Sequence, residues 1–527
     1  MSAATSAAAG GPTTAERGHA RAWVAVFGAI LGAFMAVLDI QIVNSSLQYI
    51  QGGLAASIDE GSWISTAYLV AEIIIIPLTS WLAQVFSVRR YLLFSCIGFL
   101  VFSIACGFAD NLGMMILCRI GQGFTGGALI PMALTMVTTR LPKSKQPVGL
   151  ALFGFTATFA PAIGPALGGW LTVTYSWHYI FYVNTVPGLI LIWSVWYAVD
   201  PEPMRLDMLR QGDWFGIFFM ATGLGSLIAV LEEGERKAWF TTGWIRYAAL
   251  AAAICLPIAI ILELTGEKPF IDLSLLRNRG LGAAAIIGLA LGLGLYGTVY
   301  ILPLYLAQVQ GYDPFQIGEV VMWQGAPQLL ILPIMPIFMR HIDLRYLVAF
   351  GMMLFAGSNL MNASLTPDTA MPQLILPQLV RAAGQPFVIV PLSALATSSL
   401  PRTLQGQASA IFNVMRNLGG SLGISLLSTF TDLREHYHFS IIAAHVSING
   451  LLTEQRLAAL EHGLLAHAGP AMAEIDAIEM LRDLVRRQAF VMAYADCFFV
   501  MGVGMAVSLL AILLVPKARP SDGPLAG

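Results

Sequence analysis

Charge is what this chain has least of. Its 527 residues include 28 Lys and Arg and 30 Asp and Glu, or 11% charged, where a soluble domain holds about 25%. That scarcity excludes a cytosolic enzyme and a solvated, disordered chain. Positive charge is not in surplus either: a net charge of −2 leaves no basic surface for phosphates, so no nucleic-acid partner is expected. The five cysteines, Cys96, Cys106, Cys118, Cys255 and Cys497, all fall inside apolar runs. They cannot form a secreted disulfide framework and read as small core hydrophobes. A phosphate-cradling Gly-x-x-x-x-Gly-Lys-Ser/Thr loop is also missing, so nothing points to ATP or another cofactor. His436-x-His438 has no acidic or Cys ligand at a recognised spacing, so no metal site is expected.

What remains is apolar. Hydrophobic residues make up 57% of the chain, and the mean hydropathy is +0.73. They fall in repeated runs of about 20, each long enough to cross a bilayer. Backbone groups in lipid must be satisfied within the segment, and uninterrupted runs of this length favour helices over a barrel. The expected architecture is an all-α polytopic membrane protein with fourteen spans. They lie near 22–46, 61–82, 91–109, 114–138, 148–172, 180–200, 214–233, 244–264, 281–306, 315–338, 344–364, 373–398, 404–432 and 489–516.

Basic residues set the expected orientation. Seventeen Lys and Arg fall in the tails and even-numbered connections, against Arg236, Lys237 and Arg246 in the short connections on the other side. This asymmetry puts both termini in the cytoplasm. Residues 1–21 read as an uncleaved cytoplasmic tail, because the following run is about 25 residues long and contains Asp39, unlike the 7–15-residue core of a signal peptide. Residues 517–527 form the second tail. One outer connection, 433–488, is much longer than the rest and holds five of the eight histidines. Leu451–Ala468 and Ala471–Gln488 each read as an amphipathic helix, separated by Gly469-Pro470. Such a hairpin is either a docking site for a partner or a solvent cap.

An internal repeat divides the spans. The fourth reads Leu117-Cys-Arg119-Ile-Gly-Gln122-Gly123, and the twelfth reads Leu379-Val-Arg381-Ala-Ala-Gly-Gln385, with the two arginines 262 residues apart. The following span is rich in small residues in both cases. The chain therefore reads as a six-helix half at 22–200, two linker helices within 201–280, and a second six-helix half at 281–516. Paired halves around a mid-membrane cavity are the architecture of alternating-access transporters.

A charge near the bilayer centre costs several kcal/mol, about 2.5–3.5 on insertion scales, so each intramembrane ionisable group is a candidate site. In the first half these are Asp39, Glu72 and Arg119. Asp39 and Arg119 are both roughly 8–11 Å below the outer surface at 1.5 Å per residue, deep enough to share one network. Burial and a neighbouring guanidinium act in opposite directions on a carboxyl's proton affinity, so a conformational change that alters either can load or release a proton. The same pair can also simply pin helices together. Glu72, midway along the second span without a local partner, is either a proton or cationic-substrate site or a helix-contact hydrogen bond. Glu319, Arg381, Gln385, Arg416 and Asp496 are the second-half candidates, several of them near enough to a span end to snorkel. In the fifth span Pro161 and Pro165 remove backbone donors, while Gly164 and Gly168 share a face and admit a close neighbour.

Leu38-Asp39-Ile-Gln-Ile-Val-Asn44, Arg119-x-x-Gln122-Gly123 and the Gly164-Pro165-x-x-Gly168-Gly169 run together resemble the major facilitator superfamily, and more narrowly its fourteen-helix drug:proton antiporters of the EmrB/QacA type. The resemblance extends over essentially the whole chain, including the central helix pair and the long loop before the last span. It implies that Asp39 stands at the helix 1 acidic motif and Arg119 at the proton-linked arginine. It also implies that Pro161, Gly164, Pro165, Gly168 and Gly169 form the helix 5 motif associated with exporters. The loop motif after helix 2 departs from the family: Ser80-Trp-Leu82-Ala-Gln84 replaces Gly-x-Leu-x-Asp, so any cytoplasmic latch must use other contacts.

The reading implied is a proton-coupled exporter of amphipathic or hydrophobic toxic compounds across the bacterial inner membrane, working with a periplasmic adaptor and an outer-membrane channel. A proton-coupled importer, or a narrow-substrate exporter of a metabolite or siderophore, is the alternative on the same fold. A membrane enzyme would call for an intramembrane His/Asp or Cys/His pair. His178 and His341 stand at span ends without such a partner, so no enzyme is expected.

Overall fold

The computed structural model describes residues 14–515, apart from 211, 267–268, 399, 447–449 and 466–468. The tail 517–527, most of the tail 1–21, and the basic residues Lys268, Lys517 and Arg519 lie outside the described residues. Helices and their connections make up all of the described residues, with no strand among them.

The spans are α1 (Thr14–Gly53), α2 (Trp63–Phe86), α3 (Val88–Gly107), α4 (Leu112–Arg140), α5 (Gln146–Thr174), α6 (Tyr179–Ala198), α7 (Trp214–Glu233) and α8 (Gly243–Thr265). They continue with α9 (Arg279–Gln308), α10 (Phe315–Ile331 with Met335–His341), α11 (Leu344–Asn362), α12 (Met371–Ser398) and α13 (Gln405–His445). The short α14 (Leu451–Leu464) leads into the last span, α15 (Pro470–Ser508). Among the described residues twelve helices are long and apolar enough to cross a membrane, and α10 makes a thirteenth if its two parts, bent by 56°, count as one. Pro333 and Pro336 stand at that bend, where each removes a backbone donor. The one expected span left out of that count, 404–432, is α13. It is ample in length but falls short in apolarity, because Asn413, Arg416, Ser421 and Ser425 lie on its buried side.

The hairpin differs in form from the sequence reading. Of its two outer helices the first stands as a separate element, α14, whereas the second is the beginning of α15 from Pro470, and α13 itself continues outward as far as His445. At 1.5 Å per residue α13 and α15 both run to about 60 Å, roughly twice the hydrocarbon thickness. α14 packs on α15.

Packing gathers the helices into two sets. α1 packs on α4, α5 and α6, and α4 on α2 and α3, while α13 packs on α9 and α15, and α11 on α12 and α15. The sets meet where α5 touches α10 and α12, and where α13 touches α2 and α4. α7 bridges the outside of this join, resting on α2, α13 and α8. α12 is the most enclosed of the spans and α8 the least. Phe94, Val101, Trp193 and Trp196 are exposed on α3 and α6, as suits surfaces that face lipid tails and the membrane interface.

Candidate functional site

Asp39 sits in the middle of α1 and is fully buried. An isolated carboxylate would be untenable there, and the neighbouring helices supply partners for both of its oxygens. Arg119 NH1 on α4 donates to Oδ2 over 2.6 Å. Oδ1 accepts from Gln122 Nε2 at 2.9 Å and from Asn184 Nδ2 at 2.7 Å. The guanidinium is fixed in turn: NH1 also donates to Gln122 Oε1 at 2.7 Å, Nε donates to the Ile64 carbonyl at 3.0 Å, and the Tyr68 ring lies 4.2 Å from its centre. Arg119 and Gln122 are three residues apart on one helix face, which is why the pair can serve a single carboxylate. Gly123 permits the arrangement, since a Cβ there would run into the Tyr68 carbonyl on α2.

Sequence reasoning missed Asn184, Tyr68 and Ser103. Asn184 is fully buried and also donates to Ser103 Oγ at 3.1 Å, and Ser103 donates to the Phe181 carbonyl at 2.8 Å. The signal available was an amide in an otherwise apolar span; its partner, 145 residues away, was not legible.

Glu72 lies one turn along α2 from Tyr68, buried, and its Oε1 has no hydrogen-bond partner among the described residues. Arg416 on α13 and Arg119 on α4 lie within electrostatic reach of it. The helix 5 motif meets the carboxylate through α1. Cβ atoms at Gly164 and Gly168 would overlap Gln41 and the Ser45 and Ile42 region respectively, so α5 approaches α1 within two residues of Asp39. Pro161, Pro165 and Gly169 are buried in the same helix.

The second-half candidates do not converge. Arg381 and Gln385 are buried on α12, where Gln385 Oε1 accepts from Gln328 Nε2 of α10 at 2.7 Å. Arg416 is buried, with Nε and NH1 unpartnered among the described residues. Glu319 is half-buried and forms no ion pair among them. Asp496 lies far along the chain from these, in the α13–α15 pair, where Arg434 Nε donates to it at 2.6 Å and His438 Nε2 lies 2.7 Å away.

A cavity of about 380 Å³ opens between α2, α4, α13 and the 199–205 connection, lined by Ser80, Gln84, Thr135, Glu202, Arg205 and Arg402 among others. Its size is that of a small-molecule site. Where the family loop motif is altered, Ser80 stands against Gly406 of α13, and Ser409 Oγ donates to the Pro131 carbonyl of α4 at 2.9 Å. These contacts close the halves together without an acidic latch.

The family model for the Major Facilitator Superfamily matches residues 29–424. The chain belongs to that superfamily. It is thus a multi-span membrane transporter rather than an enzyme. It is 32% identical to the colistin resistance protein EmrB of Acinetobacter baumannii, over 94% of this chain and 97% of that one. It is 30% identical to the multidrug export protein EmrB of Escherichia coli K12, over 94% of both. Among solved structures, the proton:xylose symporter XylE aligns over 95% of this chain and 97% of its own, with a TM-score of 0.58 and 14% identity, a likeness of fold.

Proposed function

We propose that this transporter exports amphipathic or hydrophobic toxic compounds across the bacterial inner membrane in exchange for protons, by alternating access. The observation that carries the proposal is the fully buried Asp39, held by Arg119, Gln122 and Asn184. The names of the two EmrB relatives favour export of toxic compounds.

A proton arriving at Asp39 cancels its charge and weakens the link to Arg119, leaving the guanidinium to its remaining partners. Since these partners come from α1, α2, α4 and α6, loading and unloading the proton changes how four helices of one half are held. The Gly164–Gly168 face carries the change from α1 to α5, and α5 touches α10 and α12 of the other half. Residues 22–200 and 281–516 are the moving halves, and the helices within 201–280 bridge them. Each proton moved through about 150 mV supplies roughly 3.5 kcal/mol, enough for a gradient of a few hundredfold in a neutral compound. The cavity lined by Ser80, Gln84 and Arg402 is the entry on the cytoplasmic side, where both termini reside. The α13–α15 extension, residues 433–488, stands on the periplasmic side as the docking surface for an adaptor that leads to an outer-membrane channel.

The test is efflux of a fluorescent lipophilic probe from cells lacking their own pumps, comparing the natural protein with Asp39→Asn, with and without an uncoupler. Loss of efflux in both arms supports the proposal. Efflux that survives Asp39→Asn, or accumulation of the probe, overturns it.

A further inference from the structure

The two repeated arginines differ in what they meet. Arg119 has an acid, an amide, a carbonyl and an aromatic ring around it. Arg381, just as deeply buried at 1% exposure, has none of these: among the described residues Nε, NH1 and NH2 all lack a hydrogen-bond partner. The first half answers its arginine from α1, but α9, the first helix of the second half, contains no Asp or Glu from Arg279 to Gln308. Its buried polar contact is instead neutral, Thr298 Oγ1 donating to Asn359 Oδ1 at 3.0 Å. α11 and α12 contain no acid either. α10 carries Glu319 alone, and since α10 and α12 run in the same direction and meet at Gln328 and Gln385, Glu319 stands about 8 Å nearer the hairpin side than Arg381.

Other unmet polar atoms belong to the same helices. Gln378 and Gln385 are at helical spacing around Arg381, placing the three on one face of α12, and Gln378 Oε1 has no partner among the described residues. Gln324 Nε2 and Gln328 Oε1, on the facing part of α10, have none either. Buried polar groups are almost always paired, and a buried charge without a counter-ion is costlier still. This seam lies in the most enclosed helix, beside α5, at the join of the two halves where alternating-access transporters bind their cargo.

We propose that Arg381 is a substrate-binding residue whose missing counter-ion arrives with the cargo: the carboxylate of an amphipathic organic anion with an alkyl chain. One guanidinium offers one unit of positive charge in a planar fork that matches a carboxylate. The flanking glutamines add neutral donors and acceptors, and the rest of α12 is uncharged and mostly apolar, so a monoanion with a hydrocarbon tail fits better than a multiply charged phosphate. The inference rests on the export reading and narrows its substrate class.

The experiment uses the full chain in phosphatidylcholine nanodiscs, with a neutral lipophilic fluorophore and a dansyl-labelled fatty acid as probes, displaced by laurate or by dodecanol. The natural protein should prefer laurate by about tenfold or more, the scale of one charge-assisted contact. Arg381→Met should abolish that preference while keeping a single cooperative thermal unfolding transition in the disc, which shows that it is folded. Arg381→Lys, which keeps the charge but loses the fork, should fall between. Equal displacement by laurate and dodecanol, or a preference that survives in Arg381→Met, overturns the proposal. Including phosphatidylglycerol in the disc should leave laurate binding unchanged; if it abolishes binding, the occupant is a phospholipid headgroup and the carboxylate assignment falls. Uncoupler-sensitive efflux of the neutral fluorophore separates the two readings: if efflux persists without anion preference, only this inference fails, and if efflux is absent, the export reading fails.

Discussion

Asn184 donates to Asp39 over 2.7 Å, tying the start of α6 to the middle of α1. The bond makes Asn184 part of the carboxylate's immediate surroundings, although it is 145 residues away in sequence. Asn184→Ala should leave one oxygen of Asp39 and the Ser103 hydroxyl each short of a partner, costing about 1–3 kcal/mol. Asn184→Asp should be worse, because it sets a second carboxyl against the first. Thermal unfolding in detergent and proton-driven uptake into inverted vesicles should rank the natural protein above Asn184→Ala, and Asn184→Ala above Asn184→Asp. If the two variants are indistinguishable, charge at this position is irrelevant.

Gly164 and Gly168 make a second prediction, this time about shape. A side chain at either position overlaps α1, whereas a methyl group added at Gly357 on α11 would meet nothing within 4 Å. Gly164→Val and Gly168→Val should therefore reduce transport per inserted molecule at least tenfold, and Gly357→Ala should leave it within a factor of two. Quantifying membrane-inserted protein alongside efflux checks this. Equal activity in all three would remove the close α1–α5 approach from the working cycle.

The C-terminal end of α7 carries adjacent carboxylates that reach both halves. Glu233, fully buried, accepts from Ser62 Oγ at 2.9 Å and from Thr66 Oγ1 at 2.7 Å, both before or on α2. Glu232 accepts from Ser421 Oγ of α13 at 2.8 Å. The bridging helix is thus bonded to each half separately. Glu233→Leu should strand the Thr66 hydroxyl, leave Ser62 only the Asp59 carbonyl at 3.1 Å and lower stability by about 1–2 kcal/mol, while Glu233→Gln, which keeps an acceptor oxygen, should lose less than half of that. A melting experiment on both variants decides, and identical losses would mean that packing rather than hydrogen bonding holds α7 in place.

These sites show how far a single sequence carries. Hydropathy runs located the spans, because a lipid-crossing helix must satisfy its backbone internally and so announces itself as about 20 apolar residues. α13 was legible despite its polar residues because glycines and apolar positions continue through it. The rarity of charge in such runs singled out Asp39 and Arg119, and equal depth suggested that they meet. Asn184, Tyr68 and Glu233 were not found. The first two are ordinary residue types in helices whose rotation about their axes is set by neighbours, and Glu233 stands at a span end where an acid is unremarkable. The length of α13 and α15 beyond the membrane was also hidden, since the sequence changes from apolar to amphipathic there without any helix-breaking residue to mark the surface.

The ion pairs between α13 and α15 give the last prediction. Arg434 and Asp496 meet at 2.6 Å and are each about a third exposed, at 32%, and Arg486 Nε lies 3.1 Å from Glu435 Oε1 across the same two helices. Solvent screening holds such a partly exposed pair to about 1 kcal/mol or less, so neither contact governs the stability of the whole chain. Their effect is on register, because a displacement of one turn between the helices would separate both pairs at once. Asp496→Arg should place two cations together and disturb the extension locally, and the exchange Arg434→Asp with Asp496→Arg should restore it. Cysteines placed on facing positions of α13 and α15 near Arg434 should cross-link readily in the natural background, poorly in Asp496→Arg and readily again in the exchanged protein. Probe binding near Asp39 should be the same in all three. Cross-linking that ignores the charge reversal would show that the apolar contacts between the two helices set their register unaided.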